Sequence, residues 1–260
     1  RPDMKERTKQ TLTKVIMTVL IGILSLTMIT PFLWMLSASM KLPLDVMKLP
    51  IKWIPEYLYP DNFMKVWNIG DLAPRDYHFG LAYFNSIKIA VINLCGSVIT
   101  STMAGYAFAK LKFKGRDMLF LIYLATMMIP WCVTIIPRYS MIKAFGWMNS
   151  YAALIVPASF SGFGIFMMKQ HIASVPNEIL EAARIDGANE FYIFHKIVIP
   201  MSKNGISSIA IFQFLWAWED FLWPYLVIDD SRKQLLSVGL KMFNGQYSTD
   251  YGALFAATTI

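Results

Sequence analysis

Long stretches without a charged side chain set the strongest constraint on the fold. Four of them, residues 15–40, 89–109, 118–137 and 144–168, contain 26, 21, 20 and 25 residues. A helix of about 20 apolar residues is long enough to cross the hydrocarbon core of a bilayer. The whole sequence is 56% hydrophobic and 16% charged, which is far more apolar than a soluble domain. These stretches therefore predict an integral membrane protein.

Two further apolar stretches extend the series. Residues 204–228 are interrupted only by Glu219 and Asp220, and a last stretch starts at Tyr251 and reaches the end of the sequence at Ile260. Runs of this length favour helices, which satisfy their backbone hydrogen bonds within the segment. We therefore expect an all-α protein in which residues 1–260 form a single membrane domain. It would have five complete spans and a sixth that is truncated at the end of the sequence.

Basic residues between the apolar stretches predict the orientation of the chain. Five lie within residues 1–14 and four within the connection 110–117, and short loops rich in Lys and Arg stay in the cytoplasm. The N-terminus is therefore predicted to be cytoplasmic, and residues 41–80, which contain five prolines, form an external loop. Residues 174–200 then return to the cytoplasm. The net charge of +7 is spread among such connections, a distribution that argues against nucleic-acid binding.

The polar stretch of residues 174–200 predicts two short helices joined by a turn. Ser174 or Asn177 can cap the first helix. Gly187 can take the left-handed conformation that ends it, and the second helix is predicted to stop at Pro200. Such a pair of helices would protrude from the membrane. An ordinary amphipathic pair at the membrane interface would show similar local features.

The spacing within this stretch resembles a known motif. Its elements are Glu181, Ala182, Ala183, Gly187, Ile197 and Pro200. The pattern is similar to the EAA loop in the membrane subunits of binding-protein-dependent ABC importers, except that Ile199 stands where leucine is usual. Further segments resemble the carbohydrate-uptake branch of that family, especially its maltose-type permeases: residues 84–91, 104–117, 125–137 and 163–176. Residues 174–200 are therefore termed the EAA loop.

This resemblance implies a fold and a set of partners. The fold is that of a six-transmembrane-helix ABC importer permease in the bacterial cytoplasmic membrane. The implied partners are a second homologous permease, two ATP-binding subunits and an extracytoplasmic solute-binding protein that delivers a sugar or oligosaccharide. Transport would proceed by alternating access, with ATP and magnesium bound by the partner ATPase. The sequence has no GxxxxGK[ST] phosphate loop and no HExxH motif. It is therefore predicted to be a transport subunit, not an enzyme, with no cofactor or metal of its own.

The resemblance also implies that the EAA loop docks in a cleft of the ATPase. Glu181 would offer a carboxylate to a basic group of the ATPase, and Gly187 would set the angle between the two helices. Small alanine side chains would allow close approach. The residues assigned to this coupling site are Glu181, Ala182, Ala183, Asp186, Gly187 and Ala188.

The aromatic segment, residues 212–227, is the second candidate site. The residues assigned to a substrate pathway are Trp216, Trp218, Glu219, Asp220, Phe221 and Trp223. Indole rings offer flat faces on which sugars stack, and carboxylates accept hydrogen bonds from hydroxyl groups. A carboxylate inside a span is costly, and neighbours on a helix point about 100 degrees apart. Only one of Glu219 and Asp220 is therefore expected to line the pathway, and we favour Glu219.

Alternatives remain open for this segment and for the function as a whole. The tryptophans and Tyr225 could instead anchor the span at the membrane interface. The segment resembles the WN-x-FLWP signature of sugar permeases, but Glu219 replaces the usual asparagine. The competing function is an ion-coupled secondary transporter or channel that uses Glu219 and Asp220. Two acidic side chains near the pathway favour a neutral oligosaccharide over a polyanion.

Overall fold

The computed structural model of the chain describes residues 4–67, 78–243 and 250–260. In these residues the backbone forms helices and their connections, without a β-strand. The helices are α1 (Met4–Ser39), α2 (Asp61–Val66), α3 (Phe79–Lys110), α4 (Arg116–Met127), α5 (Trp131–Ala144), α6 (Ala152–Ala158), α7 (Gly162–Ala173), α8 (Asn177–Ile185), α9 (Glu190–Ile193), α10 (Ile199–Met201), α11 (Lys203–Glu219), α12 (Leu222–Val227), α13 (Leu236–Gly239) and α14 (Tyr251–Thr259). A turn of π-helix, Phe194–Val198, precedes α10, and a turn of 3₁₀ helix, Leu240–Phe243, follows α13. The all-α prediction is confirmed.

The helices group into two compact units. The first contains α1, α2, the 3₁₀ turn and α14, and the second contains α3 to α13. The single membrane domain expected over residues 1–260 stays a prediction. The predicted external loop, residues 41–80, includes residues 68–77, which lie outside the described residues. The first three residues of the predicted cytoplasmic N-terminus also lie outside them.

In the first unit, polar contacts hold α2 against its neighbours. α14 packs against α1 and α2. The Lys65 ammonium lies 2.8 Å from a carboxylate oxygen of Asp250, whose other oxygen caps the first turn of α14. The side-chain amide of buried Asn62 donates to the carbonyl oxygens of Ser39 and Lys41, at 2.9 and 2.7 Å. The residues that follow α1 are thereby fixed to α2.

Three helical segments in the described residues are long and apolar enough to cross a membrane: Lys9–Ser39, Phe79–Lys110 and Ala152–Ala173. α4 and α5 make a fourth if they count as one span, although they meet at 99°. Large apolar side chains are exposed along most of α1, as expected for a surface that faces lipid. The prediction of six spans is not established by these helices and stays a prediction.

The third and fourth apolar stretches are not single continuous helices. Residues 118–137 are predicted as one span, but the chain turns sharply between α4 and α5, at Pro130. Proline lacks the N–H that a continuous helix needs at this point. In the fourth apolar stretch, residues 144–168, α5 ends at Ala144 and the next helix begins at Ala152. Gly146, with φ +68°, lies in the connection between them.

The predicted fifth span, residues 204–228, is also broken. α11 ends at Glu219 and α12 begins two residues after Asp220. In a continuous helix the Asp220 carbonyl would bond to the N–H of Pro224, which proline lacks, and the proline ring would clash with that carbonyl. The carbonyl instead accepts a hydrogen bond from Ser237 Oγ at 2.7 Å. The prediction of a continuous span is therefore wrong at this position.

α3 is the central helix of the second unit and packs against α7, α11 and α6. Its close approach to α7 needs Gly105, since a Cβ at that position would lie 2.6 Å from the Cβ of Met168. Two groups of buried side chains surround α3. The first cluster, toward the N-terminal half of the helix, includes Ile89 and Trp223. The second cluster, toward its C-terminal end, includes Tyr106 and the buried side chains of the EAA loop.

Candidate functional site

The EAA loop folds as two helical halves against the second cluster. The first half is α8, which buries Leu180 to 1% exposure. The second half is α9 with the π turn, and it buries Ile193 and Val198 completely. All three side chains belong to the second cluster. The prediction of two helical segments joined by a turn is confirmed.

The first half starts differently from the prediction. Pro176 is the N-cap residue of α8, and proline has no side-chain acceptor. Ser174 ends α7 and donates its hydroxyl to the His171 carbonyl at 2.7 Å. The side-chain oxygen of Asn177 accepts a hydrogen bond from Lys110 Nζ at 2.8 Å. Both predicted caps are therefore wrong, because each polar side chain has another partner.

Gly187 ends the first half in the left-handed conformation, with φ +86°. Its N–H donates to the Arg184 carbonyl at 3.0 Å, and the Ala188 N–H donates to the Ala183 carbonyl at 2.9 Å. These two bonds form a Schellman motif, which favours glycine at this position. Apart from its chain neighbours, no described atom lies within 4 Å of the place a Cβ would take. Glycine is therefore needed here for the backbone conformation and not for space.

The predicted stop of the second helix at Pro200 is wrong. The helix continues to Met201, and α11 follows from Lys203. Pro200 cannot donate to the carbonyl of Lys196, four residues earlier, and the π turn Phe194–Val198 lies directly before it. A π turn replaces the usual i→i+4 bonding by i→i+5. The helix therefore accommodates the proline and does not end there.

The exposed side of the loop carries most of the assigned coupling residues. Four of them are exposed: Glu181, Ala182, Asp186 and Gly187. Ala183 and Ala188 are half-buried and pack against the second cluster. Ile185 and Phe191, with 86% and 72% of their surface exposed, extend this side with apolar groups. Phe191 is not among the residues that the sequence indicates, because it lies outside the motif.

Arg184 and Glu190 face each other across the turn of the EAA loop. Arg184 Nε lies 2.7 Å from Glu190 Oε1, and Tyr106 donates its hydroxyl to Glu190 Oε2. The hydrogen bond from Arg184 and then that from Tyr106 hold the pKa of Glu190 below its ordinary value, and the same carboxylate raises the pKa of Arg184. Glu190 therefore joins both halves of the loop to α3. The sequence does not reveal this contact, since Tyr106 lies 84 positions away.

The aromatic segment lies beside a cavity of about 140 Å³ in the second unit. Side chains of α3, α5, α6, α11 and α12 line it. The polar and aromatic lining groups are Asn93, Trp131, Arg138, Gln213, Trp216, Asp220 and Trp223. Of the residues assigned to the substrate pathway, the structure therefore brings three together at this polar cavity.

The other three assigned residues lie elsewhere. The ring of Trp218 packs edge-on against Tyr83, with centroids 5.7 Å apart. Phe221 stacks on Tyr225 at 5.6 Å, and the side chain of Glu219 is exposed. The assignment of these residues to a pathway stays a prediction.

Asp220, and not Glu219, lines the polar cavity. The angle of about 100 degrees between neighbours on a helix does not apply to Glu219 and Asp220, because α11 ends at Glu219. Asp220 Oδ1 accepts a hydrogen bond from the Trp223 N–H at 3.4 Å. The guanidinium carbon of Arg138 lies 5.5 Å from the centre of the Trp223 ring. The cavity thus contains one acidic and one basic group.

Trp223 belongs to the first cluster. It is 5% exposed, and its indole Nε1–H donates to the Ala153 carbonyl at 3.0 Å. An interface anchor keeps its polar edge in the headgroup region, whereas this polar edge is satisfied inside the protein. The alternative of an aromatic anchor therefore does not describe Trp223.

More than half of the chain matches a known protein family. Residues 96–260 match the family described as binding-protein-dependent transport system inner membrane component. The chain belongs to this family. The expected resemblance is confirmed.

Several relatives of this inner membrane component are permeases. An arabinooligosaccharides transport system permease protein of Halalkalibacterium halodurans is 30% identical over 259 residues, which cover 99% of this chain and 90% of the relative. A diacetylchitobiose uptake system permease protein of Streptomyces coelicolor is 30% identical over 240 residues, covering 91% and 77%. An sn-glycerol-3-phosphate transport system permease protein of Yersinia enterocolitica is 30% identical over 197 residues, covering 76% and 70%.

A solved transporter shares the fold. The crystal structure of a bacterial ABC transporter involved in the import of the acidic polysaccharide alginate aligns with a TM-score of 0.82. The alignment covers 100% of this chain and 93% of that chain, at 20% sequence identity. This inner membrane component therefore has the helical permease fold that the resemblance implies.

Metal-ligating side chains are dispersed in the part of the chain that the structure describes. Nowhere in residues 4–67, 78–243 and 250–260 do three His, Cys, Asp or Glu side chains lie close enough together to hold a metal ion. The assignment of ATP and magnesium to a partner ATPase stays a prediction.

Proposed function

We propose that this inner membrane component is the permease subunit of an ATP-driven importer for a sugar or oligosaccharide. Relatives named for the transport of arabinooligosaccharides and diacetylchitobiose support a sugar substrate. The family description supports delivery of that substrate by an extracytoplasmic solute-binding protein. The remaining partners are a second homologous permease and two ATP-binding subunits that hold ATP and magnesium. The N-terminus and the EAA loop lie in the cytoplasm.

The observation that carries the coupling role is the exposed side of α8. Glu181 and Ala182 are exposed there, while Leu180 on the opposite side is buried in the second cluster. An exposed carboxylate beside small side chains can approach a partner closely and accept a charge-assisted hydrogen bond. The Schellman motif at Gly187 holds this side at one angle to α9. Closure of the ATPase would then displace the loop as a body and drive alternating access.

The polar cavity supports the substrate part of the proposal. Trp216 is 47% exposed and offers a flat apolar face, while Asn93 and Asp220 supply polar groups for sugar hydroxyls. Arg138 balances the charge of Asp220, so the ionised side chains lining the cavity carry no net charge. A neutral oligosaccharide matches this lining better than a polyanion.

Reconstitution in liposomes tests the proposal. The permease pair, the ATPase and the solute-binding protein are assembled, and uptake of labelled neutral and anionic oligosaccharides is measured with and without ATP. We expect uptake that requires ATP, the ATPase and the binding protein. Uptake by the permease alone, driven by an ion gradient, would instead support the ion-coupled transporter that uses Glu219 and Asp220.

A further inference from the structure

We propose that a polar clamp at the C-terminal end of α3 fixes the EAA loop to α3, and that α3 receives the motion of the loop. The clamp consists of Tyr106, Lys110, Arg184 and Glu190. This inference rests on the proposed coupling role of the EAA loop. It identifies the helix of the second unit that the loop moves and the side chains that position the loop.

Lys110, the last residue of α3, holds the start of the loop. Its ammonium group donates to the carbonyl oxygens of Ala173 and Val175, at 3.2 and 2.6 Å, and to Oδ1 of Asn177 at 2.8 Å. An ammonium group has three donors, so these acceptors use all of them. The charge also lies at the C-terminal end of α7, where the helix dipole favours a cation. One side chain of α3 therefore ties the end of α7 to the first residue of α8.

Tyr106 holds the second half of the loop. It precedes Lys110 by four residues and so lies on the same face of α3. Its hydroxyl donates to Oε2 of Glu190, the first residue of α9. The other oxygen of Glu190 lies 2.7 Å from Nε of Arg184, near the end of α8. Hydrogen bonds to charged groups are stronger than neutral ones. A single carboxylate thereby joins α8, α9 and α3.

Apolar packing supports the clamp. The ring centroid of Tyr106 lies 5.4 Å from that of Phe194 in the π turn. Leu180 and Ile193, from the two halves of the loop, are buried in the same cluster as Tyr106. Because protein interiors are close-packed, they transmit a displacement instead of absorbing it. The loop and the C-terminal end of α3 therefore form one packed body.

The covalent route from the loop to α11 is less continuous. Along it the backbone passes through the π turn Phe194–Val198, then Pro200, and leaves helical geometry at Ser202 before α11 begins. π turns and prolines are the usual places where helices bend. A displacement of the loop is therefore better preserved across the clamp to α3 than along the backbone to α11, whose Ile209 meets the loop through apolar packing in the second cluster.

The variants Tyr106→Phe and Glu190→Gln test the clamp in the complete transporter, reconstituted in liposomes with its ATPase, second permease and binding protein. Tyr106→Phe keeps the ring against Phe194 and removes only the hydroxyl. We expect the sugar transported per ATP hydrolysed to fall about threefold to tenfold, the range for losing a partly exposed hydrogen bond to a charge. The apparent KM for ATP and the assembly of the subunits should not change. Both variants weaken the Tyr106–Glu190 contact, and Glu190→Gln also weakens the contact with Arg184. The double variant should therefore be little worse than Glu190→Gln alone.

Two matched changes separate coupling from general stability. Tyr123→Phe makes the same chemical change on α4, outside the clamp, and should leave the transport-to-ATP ratio unchanged. The exchange of Arg184→Glu with Glu190→Arg restores opposite charges across the turn. The arginine introduced at position 190 can also donate to the hydroxyl oxygen of Tyr106, so a link to α3 remains. The exchange should therefore recover part of the ratio that Glu190→Gln loses, which a merely bulky or misfolded loop would not do.

The outcomes distinguish this inference from the proposed function. If Tyr106→Phe and Glu190→Gln keep the normal ratio while Gly187→Val loses it, the clamp is not the route, although the coupling role of the EAA loop stands. If even Gly187→Val keeps the normal ratio, the coupling role itself is overturned. A lower ratio in both clamp variants, with intact assembly and an unaffected Tyr123→Phe control, supports the clamp.

Discussion

The EAA loop and the aromatic segment are both short candidate sites in the second unit, but the sequence describes the loop far better than the segment. The turn of the loop depends on bonds between residues a few positions apart, such as that from Ala188 to Ala183. The shape of the aromatic segment depends on groups far along the chain, such as Ala153, which accepts from Trp223. The comparison shows that a motif is informative where its geometry is set locally.

The largest effect is expected from Gly187→Val, which changes the locally determined turn of the EAA loop. A β-branched residue in the left-handed conformation costs about 1–2 kcal/mol, so the loop should rearrange and present Glu181 at another angle. We expect uptake at constant ATPase concentration to fall by about tenfold or more, with ATP hydrolysis continuing. Liposome uptake and phosphate release, measured together, check this.

Gly146→Val is the matched control for that change. Gly146 also has a positive φ, +68°, with open space around it, but it follows α5 and lies outside the EAA loop. It should reduce thermal stability similarly while leaving the transport-to-ATP ratio normal. Gly187→Asn should be milder than Gly187→Val, because asparagine tolerates the left-handed region. Equal effects of Gly146→Val and Gly187→Val on the transport-to-ATP ratio would show that backbone strain alone, and not loop geometry, lowers uptake.

A smaller effect is expected from the acidic pair of the aromatic segment, where sequence and structure favour different residues. Asp220→Asn should lower uptake about fivefold, the order expected for weakening a hydrogen bond to a charged acceptor. Glu219→Gln should have less effect, because its side chain lies outside the polar cavity. Initial uptake rates over a range of sugar concentrations measure both affinity and maximal rate. If Glu219→Gln is the more damaging change, helical spacing is the better guide and the cavity is not the pathway.

The smallest effect is expected from the pH dependence of the clamp, since the Glu190 side chain is 48% exposed. Its pKa in the folded protein lies below the unfolded value of about 4.3, because Arg184 and Tyr106 stabilise the charged form. The contribution of Glu190 is therefore complete above the unfolded pKa and is lost as the pH falls through the folded pKa. Amide hydrogen exchange in the EAA loop should accelerate in that acidic window relative to the rest of the second unit. In Glu190→Gln the loop should exchange faster at neutral pH and lack this additional acceleration.

Sequence-based reasoning succeeded where one residue determines one local feature. Gly187 predicts a left-handed turn because only its missing side chain makes that conformation inexpensive. The reasoning failed at Pro200, where the π turn accommodates the proline, and at Ser174 and Asn177, whose side chains bond to other partners. At Pro200 the π turn provides a bonding pattern that does not need the missing N–H. The two predicted caps instead bond to the His171 carbonyl and to the Lys110 ammonium group.

The sequence by itself determined the membrane character, the helical class and the turn of the EAA loop, because these follow from the lengths of apolar runs and from the backbone preferences of single residues. Only the tertiary structure decided that Asp220 rather than Glu219 lines the polar cavity, that Trp223 is buried, and that Tyr106 reaches Glu190. These outcomes depend on packing between helices that are distant along the chain. The distances between such groups are set by the whole fold and are not encoded in the spacing of a motif.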